Sequence, residues 1–105
     1  MQALWRALYA ANAELVLNGH DHIYERFAPQ TPNGRADHAQ GIVEFVAGTG
    51  GRSHYDLPLI RANSVIRNNT TYGVLRLELS AGGWSTEFRA VPGETFSDHS
   101  SGTCH

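Results

Sequence analysis

The sequence predicts an α/β fold, with one N-terminal helix followed by about four β-strands that end in an antiparallel hairpin. Three observations predict it. Leu4, Leu8, Ala11 and Leu15 recur at helical spacing, Leu15-Val16-Leu17 is an apolar run without polar alternation, and Val74 to Ser80 alternates apolar and polar residues before a glycine turn.

Taken in order, residues 2–13 form the predicted helix, since alanine and leucine are strong helix formers and Trp5 and Tyr9 widen the apolar stripe. Asn12 suits its C-terminal cap. Leu15 to Asn18 reads as a strand covered on both faces, as in a parallel sheet. Phe27 to Gln40 reads as loop, carrying Pro29, Pro32 and the turn pair Asn33-Gly34. Ile42 to Ala47 is a second strand that stops at Gly48-Thr49-Gly50-Gly51. Arg52 to Thr71 shows no convincing period and is expected to cross the surface. Tyr72 to Ser80 is a half-buried strand, Ala81-Gly82-Gly83 its turn, and Trp84 to Val91 the returning partner. The small, polar stretch from Pro92 to His105 is expected to be a loosely held tail.

The chain has 105 residues, with 8 Lys+Arg against 10 Asp+Glu, and all the basic residues are scattered arginines. No basic run suggests nucleic acid, and no apolar run approaches the ~18–20 residues of a membrane span. The first residues lack the charged start and continuous apolar stretch of a signal peptide. Cys104 is the single cysteine, so no disulfide can form within the chain. A parallel strand needs a neighbour reached through a long crossover, and nothing upstream of Leu15 supplies one. The expectation is therefore a truncated domain spanning 1–105.

The chemistry is concentrated where the first strand ends, in Asn18-Gly19-His20-Asp21-His22-Ile23-Tyr24-Glu25-Arg26. Neutral imidazole is the commonest metal-ligating side chain, and the carboxyl end of a strand is where α/β folds build their sites. Gly19 permits a sharp turn, and Asn18 and Asp21 can satisfy turn amides. Each residue also has a plainer role open to it. Tyr24 can simply pack, and Glu25 and Arg26 can pair with each other or with neighbouring strands. Gly48 to Gly51 can cradle an anion or only turn the chain. His54 can border a cleft, whereas His38 reads as solvated, and His99, Cys104 and His105 match no zinc spacing.

The run Gly19-His20-Asp21-His22-Ile23-Tyr24-Glu25-Arg26 resembles the Gly-His-x-His-x-Tyr-Glu-Arg motif of the calcineurin-like metallophosphoesterases, in particular the purple acid phosphatase branch. Gly41 to Gly51 is similar to that branch's following strand ending in Gly-x-Gly-Gly. Tyr72 to Leu77 and Trp84 to Phe88 are similar to its closing hairpin, so the resemblance covers most of the chain in order. It implies the C-terminal part of a metallophosphoesterase α/β sandwich. It also implies a dinuclear metal centre of Fe, Zn or Mn, with His20 binding one ion and His22 the other, and a phosphate ester as substrate. Asp21, Tyr24, Glu25, Arg26 and His54 are then supporting or cleft-lining candidates, with Asp21 a nearby acceptor for a histidine ring nitrogen.

The family's remaining ligands lie in Gly-Asp and Gly-Asn-His motifs, and neither motif occurs in this sequence. The resemblance thus implies a phosphatase fragment that supplies two histidines and is inactive alone. A complete site would need association with a missing N-terminal segment, or a homodimer that joins two His-x-His pairs. The alternative is a non-enzymatic, β-rich binding module or truncated gene product with at most one weak metal site. The family is often secreted, and this chain carries no leader that settles its location.

Overall fold

The structure is a computed structural model that describes residues 2–56 and 60–105. In chain order its elements are helix α1 (Gln2–Ala10) and strands β1 (Leu15–Asn18), β2 (Tyr24–Phe27), β3 (Val43–Ala47), β4 (Ser64–Asn68), β5 (Gly73–Ser80), β6 (Gly83–Ala90) and β7 (Asp98–Thr103). One short helix and seven strands make the described chain mostly β, which meets the expected α/β class only loosely.

The helix is shorter than expected because Asn12 sits in the left-handed region, with φ at 60°. Ala13 N–H then donates to Leu8 O at 3.0 Å and Asn12 N–H to Tyr9 O at 3.1 Å. Those two bonds are the pair that closes a helix in a Schellman turn. The apolar stripe of α1 is only partly covered. None of its residues is buried, and Leu4 is 54% exposed. It is tied instead to the loop after β2, through Tyr9 Oη–H donating to Asp37 at 2.7 Å and Gln2 to Pro32 O at 3.1 Å.

The strands form two sheets, ordered β1-β3-β2-β4 and β5-β6-β7. β1 is parallel to β3, but it is an edge strand with no buried residue and Leu17 49% exposed, so it is not covered on both faces as expected. β2 runs antiparallel to both its neighbours. The second sheet is antiparallel throughout, and the expected hairpin forms with Ser80 opposite Gly83. The sheets stack over a shared core of Tyr24, Val43 and Phe45 against Trp84 and Phe88. Phe45 meets Trp84 edge-on at 6.1 Å, and Tyr24 lies 4.7 Å from Phe88.

Three strands were not legible beforehand. β2 continues the motif itself. β4 lies in the stretch read as crossing the surface, of which residues 57–59 are outside the described residues. β7 overturns the expectation of a loose tail, because Asp98 to Thr103 pairs with β6 over six residues. Its sequence, Asp-His-Ser-Ser-Gly-Thr, carries no apolar alternation for a period-2 reading to find. What holds it is polar pairing through Asp98 and the packing of Phe96 against Tyr24 and Phe88.

Candidate functional site

β1 ends at Asn18, opposite Val46 of β3, and the chain turns through Gly19 to Ile23 before entering β2. Gly48 makes this turn possible. A Cβ there would overlap the Asp21 carbonyl oxygen and lie 2.7 Å from that of Gly19, so the backbones can approach only at a glycine. Ile23 N–H donates to Asp21 O at 2.8 Å and Gly48 N–H to Ile23 O at 3.0 Å, which fixes the turn on the end of β3.

His20 projects from this turn exposed to solvent. His22 is half-buried and better held. Its Nδ1 lies 3.0 Å from the Ser53 carbonyl, its ring 4.3 Å from that of Tyr55, and its own carbonyl accepts Tyr55 N–H at 3.1 Å. A carbonyl oxygen can only accept, so Nδ1 carries the proton and the neutral ring keeps its lone pair on Nε2. A metal-ligating histidine normally has its second nitrogen engaged in this way. Asp21, the acceptor suggested by sequence, instead approaches Arg61 at 3.9 Å in a largely exposed pair.

The remaining candidates separate from the histidines. Successive residues of a strand point to opposite faces, so Tyr24 and Arg26 face the second sheet while Glu25 points to the opposite face, where it too is buried. Tyr24 is fully buried and donates to Asp98 Oδ2 at 2.6 Å. Arg26 grips both oxygens of the same carboxylate, from Nε at 2.8 Å and from Nη2 at 3.0 Å. Burial alone would raise the Asp98 carboxyl, but the bonds from Arg26 and Tyr24 outweigh it and hold Asp98 below the usual carboxylate range. Burial, reinforced by Asp98, pushes the Tyr24 hydroxyl well above the ordinary tyrosine value. Glu25 accepts from Ser64 Oγ at 2.5 Å, and Arg67 reaches the same hydroxyl at 3.2 Å. Glu25 thus pairs with the neighbouring strand β4, and Arg26 with β7 of the other sheet. His54 also turns away, donating from Nε2 to Thr71 O at 3.0 Å with its ring 4.1 Å from that of Tyr72.

Sequence reading did not single out Glu44, Ser53 or Tyr55. Glu44 takes a bond from Asn18 Nδ2 at 2.9 Å, and burial pushes its carboxyl above the ordinary value, with Glu25 and Asp21 adding to the rise. Its signal was faint, a single acid between Val43 and Phe45. Ser53 and Tyr55 come from an irregular segment whose approach to His22 is a tertiary fact.

Among the described residues, no group of three or more His, Cys, Asp or Glu could hold a metal ion. A dinuclear centre needs more donors than the described residues bring together.

No protein-family model, curated protein or solved structure matches the chain. The geometry of the histidine turn and its motif therefore carry the functional reading. Among the described residues no helix is long and apolar enough to cross a membrane.

Proposed function

We propose that this chain is the histidine-bearing C-terminal part of a dinuclear-metal phosphoesterase, a hydrolase of phosphate esters whose other ligands come from outside this sequence. The observation that carries the reading is His22. It stands in a Gly-His-x-His-x-Tyr-Glu-Arg run at the carboxyl end of a parallel strand, with Nδ1 engaged by a backbone carbonyl and Nε2 left to ligate. When bound, a pair of ions in such a site polarises a phosphoryl oxygen and lowers the pKa of a water molecule. The role proposed for this chain's own residues is to present two neutral imidazoles, one oriented by Ser53. Proton competition for those nitrogens makes metal affinity fall in acid.

Two measurements test the proposal. In-frame Gly-Asp and Gly-Asn-His motifs are expected in the coding sequence upstream of Met1, and their absence would count against a phosphoesterase parent. The isolated chain is expected to turn over no aryl phosphate with added Fe, Zn or Mn. Robust turnover abolished by His20→Ala would overturn the view that its site is incomplete.

The second reading is a non-enzymatic β-rich module that holds one metal by itself, against which the lack of a donor group of three or more among the described residues counts. Calorimetric titration with Zn2+ separates the two. One tight site, lost in both His20→Ala and His22→Ala, supports a standalone binding module. Weak binding supports the fragment.

A further inference from the structure

The second sheet has two edges of opposite character. β7 presents a polar strand, Asp-His-Ser-Ser-Gly-Thr. β5 is the longest edge strand of either sheet, pairs with β6 over eight residues without a bulge, and contains neither proline nor lysine. Bulges, prolines and charged side chains, lysine above all, keep strand edges from pairing with other chains, and the charges β5 carries, Arg76 and Glu78, are paired with each other. Beside this edge runs an apolar cleft of about 430 Å³ lined by Leu17, Ala47, Val74, Leu75 and Leu77, with Val74 60% and Leu79 73% exposed.

The direction of each backbone group on β5 follows from its two ends. Val91 N–H donates to Tyr72 O across the hairpin, so even-numbered residues face β6. Gly73 faces the other way. Its N–H donates to Thr49 O at 3.0 Å and its carbonyl accepts from Thr49 Oγ1 at 2.9 Å. Thr49 therefore caps one end of the edge left unpaired among the described residues, and the turn at Ala81 closes the other. Between them Leu75, Leu77 and Leu79 aim their N–H and C=O groups outward, and Leu77 is the midpoint.

We propose that β5 is a homodimer interface, in which two copies pair antiparallel about a two-fold axis at Leu77 to make one six-stranded sheet. Leu77 exchanges both backbone bonds with its counterpart, and Leu75 exchanges both with Leu79 of the second copy. The outer face selects this register. Arg76 and Glu78, an ion pair at 2.6 Å within the strand, flank the axis symmetrically. Each then lies opposite its complement in the non-hydrogen-bonded positions, where cross-strand side chains are closest. Centring the axis on Arg76 would set two guanidinium groups opposite each other, and centring it on Glu78 two carboxylates. Charge complementarity thus favours a second copy in one register, and the leucines on the inner face close over the cleft. A closed, self-complementary contact of this kind gives a dimer rather than a fibre. A single strand pair is small for a specific interface, so association in the micromolar range is expected.

Sedimentation equilibrium across the micromolar to millimolar range tests this on the whole chain, with far-UV circular dichroism as the check on folding. The expected species is a dimer of twice the 11.5 kDa chain. Arg76→Glu and Glu78→Arg each oppose like charges at both ends and are expected to weaken association about tenfold or more. The double exchange restores it. An equimolar mixture of the two single variants is also expected to associate, because each supplies the charge its partner needs. A chain that stays monomeric throughout overturns the proposal and leaves the edge to a different polypeptide. Single variants that associate normally, or a double exchange and a mixture that fail to recover, overturn it equally.

Discussion

Residues upstream and downstream of Ile23 belong to one motif but to different environments. Upstream, His20 is exposed, His22 is held by a backbone carbonyl and a tyrosine ring, and Asp21 reaches only a distant arginine. Downstream, Tyr24 is fully buried and Arg26 and Tyr24 converge on one carboxylate from the other sheet. Nothing in the residue types forces this division. It arises because the turn sits on the end of β3 while β2 lies between β3 and β4, covered by the second sheet. In the motif the histidines are available for chemistry, and the tyrosine and arginine join the two sheets.

The largest effect expected from this contrast comes from the buried side. Asp98→Ala leaves Arg26 without its counter-charge and Tyr24 without an acceptor, and is expected to cost about 3 kcal/mol in urea unfolding. A loss no larger than that of an ordinary surface substitution would erase the distinction between the two halves.

The same carboxylate gives the fold an acid-sensitive limb. Asp98 titrates below its unfolded value, so its contribution is complete above the unfolded carboxylate pKa of about 3.9 and fades as pH falls through the lower folded value. Glu44 acts with the opposite sign. Its raised pKa means that the charged form is disfavoured in the fold, a cost present above that pKa and relieved on acidification. Thermal unfolding against pH is expected to show a shallower acid decline in Asp98→Asn and a steeper one in Glu44→Gln.

Tyr24→Phe keeps the ring against Phe88 and Phe96 but removes one bond to Asp98, for an expected loss of about 1–1.5 kcal/mol in urea unfolding. On the exposed side, His20→Ala is expected to change stability by less than about 0.5 kcal/mol by the same assay. A larger loss there would show that the turn supports the fold, and that its histidines are not free to serve a metal.

Legibility followed the kind of force that holds each element. The strand into Gly48 and the hairpin of β5 and β6 are held by apolar burial or by a tight turn, and both leave a pattern in the residues. The apolar run Leu15-Val16-Leu17 was legible as well, although β1 stays half-exposed at the sheet edge. β2, β4 and β7 take part of their hold from polar partners far along the chain, as when Glu25 meets Ser64 and Arg26 meets Asp98. Such pairings carry no period. The helix stripe marks the converse, an apolar pattern that was read correctly as helix but that the described chain covers only in part.

From residue order alone came a histidine pair at a strand end, the hairpin, and the role of Asn12 in stopping the helix. Tertiary structure decided which motif residues stay available. Ser53 determines which nitrogen of His22 keeps its lone pair, and Asp98, 72 residues beyond Arg26, draws tyrosine and arginine into the core. The physical reason is range. Turns and periodic burial act over a few residues and are written locally, whereas desolvated charges are stable only where a distant partner is brought within hydrogen-bonding reach.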